Sequence, residues 1–68
     1  MDRVHYNVNG LVNSTNKTHI KNALDKIEGI QQVCVDVARG SVEVIFNEQV
    51  KVEDIKKCIE DTGYNIYN

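Results

Sequence analysis

The stretch VCVDVARGSVEVIF, residues 33–46, decides the fold. Val33, Val35 and Val37 alternate with Cys34 and Asp36, Ala38-Arg39-Gly40-Ser41 offers a short glycine-containing turn, and Val42, Val44 and Phe46 alternate with Glu43 and Ile45. Because successive side chains of a strand point to opposite faces, this period of two predicts a β-hairpin with one buried face.

Outward from the hairpin, each side holds a helix and then a strand. Towards the N-terminus, Ile20, Ala23, Leu24 and Ile27 fall at i, i+3, i+4 and i+7, one apolar stripe, while Lys21, Asn22, Asp25 and Lys26 lie away from it. Gly29 stops this helix by virtue of its access to the left-handed conformation. Asn13 to Thr18 is a polar stretch with several candidate caps, and from Val4 to Val8 apolar Val4, Tyr6 and Val8 alternate with His5 and Asn7 as in a half-buried strand. Asn9-Gly10 resembles a hairpin turn, but no alternating segment follows it, so the turn leads into the helix. Towards the C-terminus, Val52, Ile55, Cys58, Ile59 and Thr62 line one face of a second helix, with Glu53 and Asp54 at its positive end and Gly63 closing it. Lys51 takes its cap position, where it cannot accept a bond from first-turn amides. Tyr64, Ile66 and Tyr67 leave a brief last strand. The order βαββαβ, with right-handed crossovers, predicts an α+β ferredoxin-like sandwich: a four-stranded antiparallel sheet, strand order 4-1-3-2, with both helices on one face.

Sixty-eight residues allow one thin core, since a protein of this size buries only about 60% of its unfolded surface, and residues 1–68 are expected to form a single domain. Apolar residues at 41% and charged ones at 26% suit a packed globular protein. A net charge of −2, with both signs mixed along the sequence, offers no electrostatic footprint for nucleic acid or anionic lipid. No apolar run nears the roughly 20 residues that span a bilayer, and the N-terminus has no signal-peptide core, so a cytoplasmic protein is expected. Cys34 and Cys58 are too few and too far apart for a disulfide scaffold. The sequons at Asn13-Ser14-Thr15 and Asn16-Lys17-Thr18 need a secretory route that nothing else supports.

Gly10-Leu11-Val12-Asn13-Ser14-Thr15-Asn16 sits where the heavy-metal-associated domain family has glycine, methionine, any residue, cysteine, two residues and cysteine. Glu28-Gly29-Ile30, the valine-rich hairpin and Asp61-Thr62-Gly63-Tyr64 match the family's helix end, hairpin and closing glycine-tyrosine. The chain thus resembles bacterial copper chaperones and the N-terminal domains of metal-transporting P-type ATPases over nearly its whole length. The resemblance implies a loop whose two thiolates hold a soft cation such as Cu(I) and pass it to a partner domain. Here Asn13 and Asn16 occupy the ligand positions, and a neutral amide oxygen is a hard, weak donor unsuited to a two-coordinate soft metal. The expectation is therefore no bound metal or other cofactor.

A structural role for these residues follows from their chemistry. Asn13 is a good N-cap, and Asn16 falls on the inward side of the first helical turn, within reach of backbone or of the Tyr64 hydroxyl. The resemblance further implies that Leu11 and Tyr64 support the loop and that Lys17, with Lys21, Lys56 and Lys57, orients a docking partner. Cys58 belongs to the core stripe of helix two, where a thiol packs as a small hydrophobe. Cys34 and His5 point to the helix-free face with a strand between them, and His19 lies one turn beyond Asn16. These scattered groups do not converge as metal ligands must.

Catalysis is not expected. Acylphosphatases share the topology but depend on an arginine in the loop after strand one, where Gly10 to Thr18 has only Lys17, and no nucleophile with its base or phosphate-binding glycine loop stands at recognisable spacing. The expected function is that of a monomeric copper-trafficking-type module, degenerate at its metal site, that docks on a metal-transporting ATPase or a related domain. The alternatives are a metal carrier that uses other ligands, such as His19 with a partner's cysteines, and the N-terminal domain of a cation-transporting P-type ATPase.

Overall fold

The computed structural model describes residues 1–67. Its elements run β1 (Asp2–Asn9), α1 (Ser14–Asp25), β2 (Ile30–Asp36), β3 (Ser41–Phe46), α2 (Val52–Asp61) and β4 (Asn65–Ile66). The strands form one antiparallel sheet in the order β2-β3-β1-β4, as the element order predicts.

Register carries the hydrophobic alternation across the sheet. Val4 stands opposite Val44 and Tyr6 opposite Val42, while β2 brings Val33 to Val44 and Val35 to Val42 from the other side. These residues share the face on which Ile20 and Leu24 of α1 and Ile55 and Ile59 of α2 are completely buried. Each of the four helix residues contributes about 1.5–3 kcal/mol through its burial. His5, Glu43 and Cys34 fall in one cross-strand row on the opposite face.

β2 begins three residues before the alternation read from the sequence. A bulge between Ile30 and Gln32 sets Ile30 against Phe46 and Gln32 against Ile45, so an extra residue shifts the phase. Ile30 and Val33 can then both pack on the core despite their odd spacing.

Three local expectations need correction. Val52, assigned to the buried stripe of helix two, is 45% exposed, because it opens the helix at an end that overhangs the core. Its carbonyl oxygen accepts a long bond from the Tyr6 hydroxyl, 3.4 Å. Ile27 lies past the end of α1, which stops at Asp25 with Lys26 as its cap, although the Ile27 side chain still packs against the core. The last strand holds only Asn65 and Ile66: Tyr64 precedes it as a buried residue and Tyr67 lies beyond it, exposed.

Gly29 is not the stop of α1, which ends at Asp25 with Lys26 as its cap; it turns the backbone into β2, and it must be glycine for that reason. Its φ is +102°, and a Cβ built there would meet Val50 Cγ2 at 2.6 Å and Asn47 Oδ1 at 2.7 Å. The segment between β3 and α2 therefore closes directly over this backbone, and the Asn47 N–H donates to the Gly29 carbonyl at 3.0 Å. Among the described residues no helix is long and apolar enough to cross a membrane.

Candidate functional site

The segment from Gly10 to Lys17 joins the end of β1 to the first turn of α1. Gly10 turns with φ +95°, and the Tyr64 ring lies against it, with Tyr64 Cδ1 3.1 Å from where a Cβ would stand. Leu11 then drops into the core at 6% exposure, and Val12 turns outward at 75%. The first side chain anchors the loop, and the next presents an isolated apolar group to solvent.

Asn13 takes extended backbone angles, φ −155° and ψ 177°, and caps α1. Its Oδ1 accepts from the Asn16 N–H at 3.0 Å, and its carbonyl accepts from the Lys17 N–H at 3.3 Å. Asn16 answers in the other direction: its Oδ1 accepts from the N–H groups of Val12 at 3.1 Å and Asn13 at 3.2 Å. This is a reciprocal capping box made by two asparagines at i and i+3. The remaining end of the Asn16 side chain, Nδ2, donates to the Tyr64 hydroxyl at 2.7 Å. The two backbone donors fix the amide orientation, since the flipped amide would set its NH2 against two N–H groups.

This one carboxamide joins three pieces of the protein: the loop backbone, the first helical turn and the segment after α2. Both asparagine Oδ1 atoms are committed to backbone donors, so neither turns a free oxygen to solvent. No acidic side chain enters the first turn of α1, and Lys17 is exposed there, so the positive end of the helix dipole and a lysine charge have the same sign.

The other candidate residues lie elsewhere. His19 is exposed and borders a shallow hollow with Asn22, Ala23, Lys26 and Thr62. Cys58 is half-buried in a groove between the helices, beside Ala23, Ile27, Lys57 and Asp61. Burial pushes its thiol pKa up and the Asp61 carboxylate adds to the rise, against a smaller opposing effect of Lys26. Cys34 is exposed on β2 and accepts from Gln32 Nε2 at 3.2 Å. Both Cys34 and His5 register against Glu43 from opposite sides, so β3 separates them. Among the described residues no three His, Cys, Asp or Glu side chains are grouped so as to hold a metal ion.

Sequence reasoning missed Val12. Nothing local distinguishes its exposure from the burial of Leu11, because the loop has no regular period.

Residues 6–65 match the heavy-metal-associated domain. The chain belongs to the heavy-metal-associated domain family. This heavy-metal-associated domain is 34% identical over 61 residues to the copper chaperone CopZ of Staphylococcus haemolyticus, a match covering 88% of this chain and 90% of that one. The CopZ of Staphylococcus aureus strain Newman is 33% identical over the same coverage. Among solved structures, a CopZ metallochaperone superposes with a TM-score of 0.93 at 30% identity, covering 97% of this chain and 100% of that one. A copper-binding domain from HMA7, a P-type ATPase, gives 0.88 at 28% identity, covering 100% and 96%. The heavy-metal-associated domain is thus of the copper-chaperone and P-type ATPase type, a class of metal-binding carriers and not of enzymes.

Proposed function

We propose that this domain is a copper-trafficking-type module whose loop has lost its soft-metal ligands, and that it acts by docking on a partner metal-transport domain. The observation that carries the reading is the committed state of Asn13 and Asn16. They stand where the family resemblance puts two cysteines, and their oxygens serve the loop backbone while Asn16 Nδ2 serves Tyr64. Cu(I) favours soft thiolates, and neutral amide oxygens already holding N–H groups do not fit it. The loop obtains from hydrogen bonds the order that a bound metal would otherwise impose.

Docking is supported by what the loop presents. Val12 is an exposed apolar side chain on a braced segment that also carries the exposed charge of Lys17, and an apolar contact with a charged rim is the usual make-up of a specific protein contact. Lys17 would act chiefly on orientation and association rate. Leu11 and Tyr64 would support the loop from below. The partner would be a metal-transporting ATPase or a related domain, met in the cytoplasm by residues 1–68 as a monomeric single domain.

The test is a competition titration with Cu(I) against a chromophoric chelator under reducing conditions. It compares the natural protein with its Asn13→Cys/Asn16→Cys double variant. Competition by the double variant alone is the expected result. Stoichiometric uptake by the natural protein would overturn the reading and direct attention to Cys34, Cys58 and His19.

A further inference from the structure

Asparagine followed by glycine carries a latent reaction, and here the fold leaves it open at one place. Asn9 closes β1 with its side chain exposed, and Gly10 turns away with φ +95°. Among the described residues neither the Asn9 carboxamide nor the Gly10 N–H has a hydrogen-bond partner. A free carboxamide and a free nitrogen on the next residue, with no Cβ to shield that nitrogen, are the two reactants of an intramolecular cyclisation.

We propose that Asn9 is a site of self-modification, at which the protein turns its own asparagine into aspartate and isoaspartate. The Gly10 nitrogen gives its proton to solvent and attacks Asn9 Cγ. The side-chain amide takes up a proton and leaves as ammonia, and a cyclic imide joins residues 9 and 10. Water then opens the imide. Breaking the bond from Cγ to the Gly10 nitrogen gives aspartate; breaking the bond from the Asn9 backbone carbonyl carbon to that nitrogen gives isoaspartate. The sum is asparagine plus water to aspartate plus ammonia, with nothing oxidised or reduced.

The structure also withholds this chemistry from another exposed asparagine followed by a small residue. Asn13, before Ser14, holds the Asn16 N–H with its Oδ1 at 3.0 Å. Asn16 is tied at both ends of its carboxamide, and the nitrogen that would attack it, Lys17 N, is bonded to the Asn13 carbonyl. Asn47 Oδ1 accepts from the Gln49 N–H at 3.0 Å. Reaction selectivity at Asn9 is therefore a property of the folded protein and not of the sequence alone.

Conversion reaches the loop described above. It adds one negative charge to a protein of net charge −2. Isoaspartate also inserts an extra carbon into β1 at the residue paired with Asn65, and Asn9 and Val8 make the two register pairs that hold β4. Tyr64, which precedes β4 and receives the Asn16 bond, loses that fixed neighbour.

The experiment is incubation of the purified protein in mildly alkaline buffer, with peptide mapping by mass spectrometry and fragmentation that separates aspartate from isoaspartate. A parallel sample is held in denaturant, and an Asn9→Gln variant serves as control, since a longer side group forms the cyclic imide far less readily. In the native sample Asn9 loses its amide first while Asn13 and Asn16 keep theirs. In denaturant Asn13 joins it, and the Asn9→Gln variant keeps its mass in the native sample over the same period. The proposal is overturned if native Asn9 keeps its amide while denatured Asn9 converts, or if native Asn13 converts as fast as native Asn9.

Discussion

Asn16 makes three hydrogen bonds through one carboxamide, to two loop amides and to a tyrosine far along the sequence. The bond to Tyr64 is the shortest at 2.7 Å and joins residues 48 apart. Tyr64→Phe keeps the ring against Gly10 but removes the acceptor, leaving a partly buried donor without a partner. We expect a loss of about 0.5–1.5 kcal/mol, read as a lower urea midpoint at unchanged slope. Asn16→Ala removes the reciprocal cap as well and is expected to lose about 1–2 kcal/mol. A double-mutant cycle between the two positions isolates the side-chain pair, and zero coupling there would show that the bond does not hold in solution. The capping potential of Asn13 and the reach of Asn16 towards Tyr64 are both legible in the sequence, because N-cap chemistry is local and the family resemblance places the glycine-tyrosine closing segment beside the loop. The outward turn of Val12 is not legible, because no repeating pattern governs a loop.

The two helices differ most at their first turns. α1 begins with a reciprocal cap and no acidic residue, whereas α2 has Glu53 and Asp54 suited to its dipole but Lys51 at the cap, with φ −91°, ψ 134° and no side-chain bond to a first-turn amide. The backbone already has cap geometry and lacks only an acceptor. Lys51→Ser is therefore expected to stabilise the domain by about 0.5–1 kcal/mol, seen as a higher denaturation midpoint; an unchanged midpoint would refute the cap assignment. The helical stripes are readable at their centres and misleading at their ends. Ile20, Leu24, Ile55 and Ile59 are buried as the periodicity requires, but Val52 and Ile27 sit where the helix overhangs or has stopped. A stripe reports a direction about the helix axis and says nothing of how far the neighbouring sheet extends beneath it.

Across the whole molecule, two protonated groups are held in the fold. Tyr6 and Cys58 both have raised pKa values, each chiefly through burial, with Glu60 adding to the first and Asp61 to the second. A group that keeps its proton more firmly when folded leaves stability intact below its unfolded value and lowers it as pH rises through the folded one. Stability should therefore fall on the alkaline side, beginning above the ordinary thiol value of 9.0 for Cys58 and continuing above 10.0 for Tyr6. Thermal melts across that range should show a shallower fall for Cys58→Ala than for the natural protein. An identical fall would exclude the thiol as a contributor. At a single pH, iodoacetamide should alkylate exposed Cys34 before half-buried Cys58, as peptide mapping would report.

Local pattern was enough to set the element order, the buried face of each strand, the stop of α2 at Gly63 and the family, because alternation, helical stripes and glycine positions are properties of neighbouring residues. Tertiary structure alone decided how those elements close on one another. Only folding lets Asn16 bond the loop backbone and Tyr64 at once, shifts the phase of β2 by a bulge so that Ile30 and Val33 both meet the core, and sends Val12 outward while Leu11 goes in. These depend on distances between residues far apart in sequence, which the packing of two helices on a twisted sheet sets and which no local period encodes.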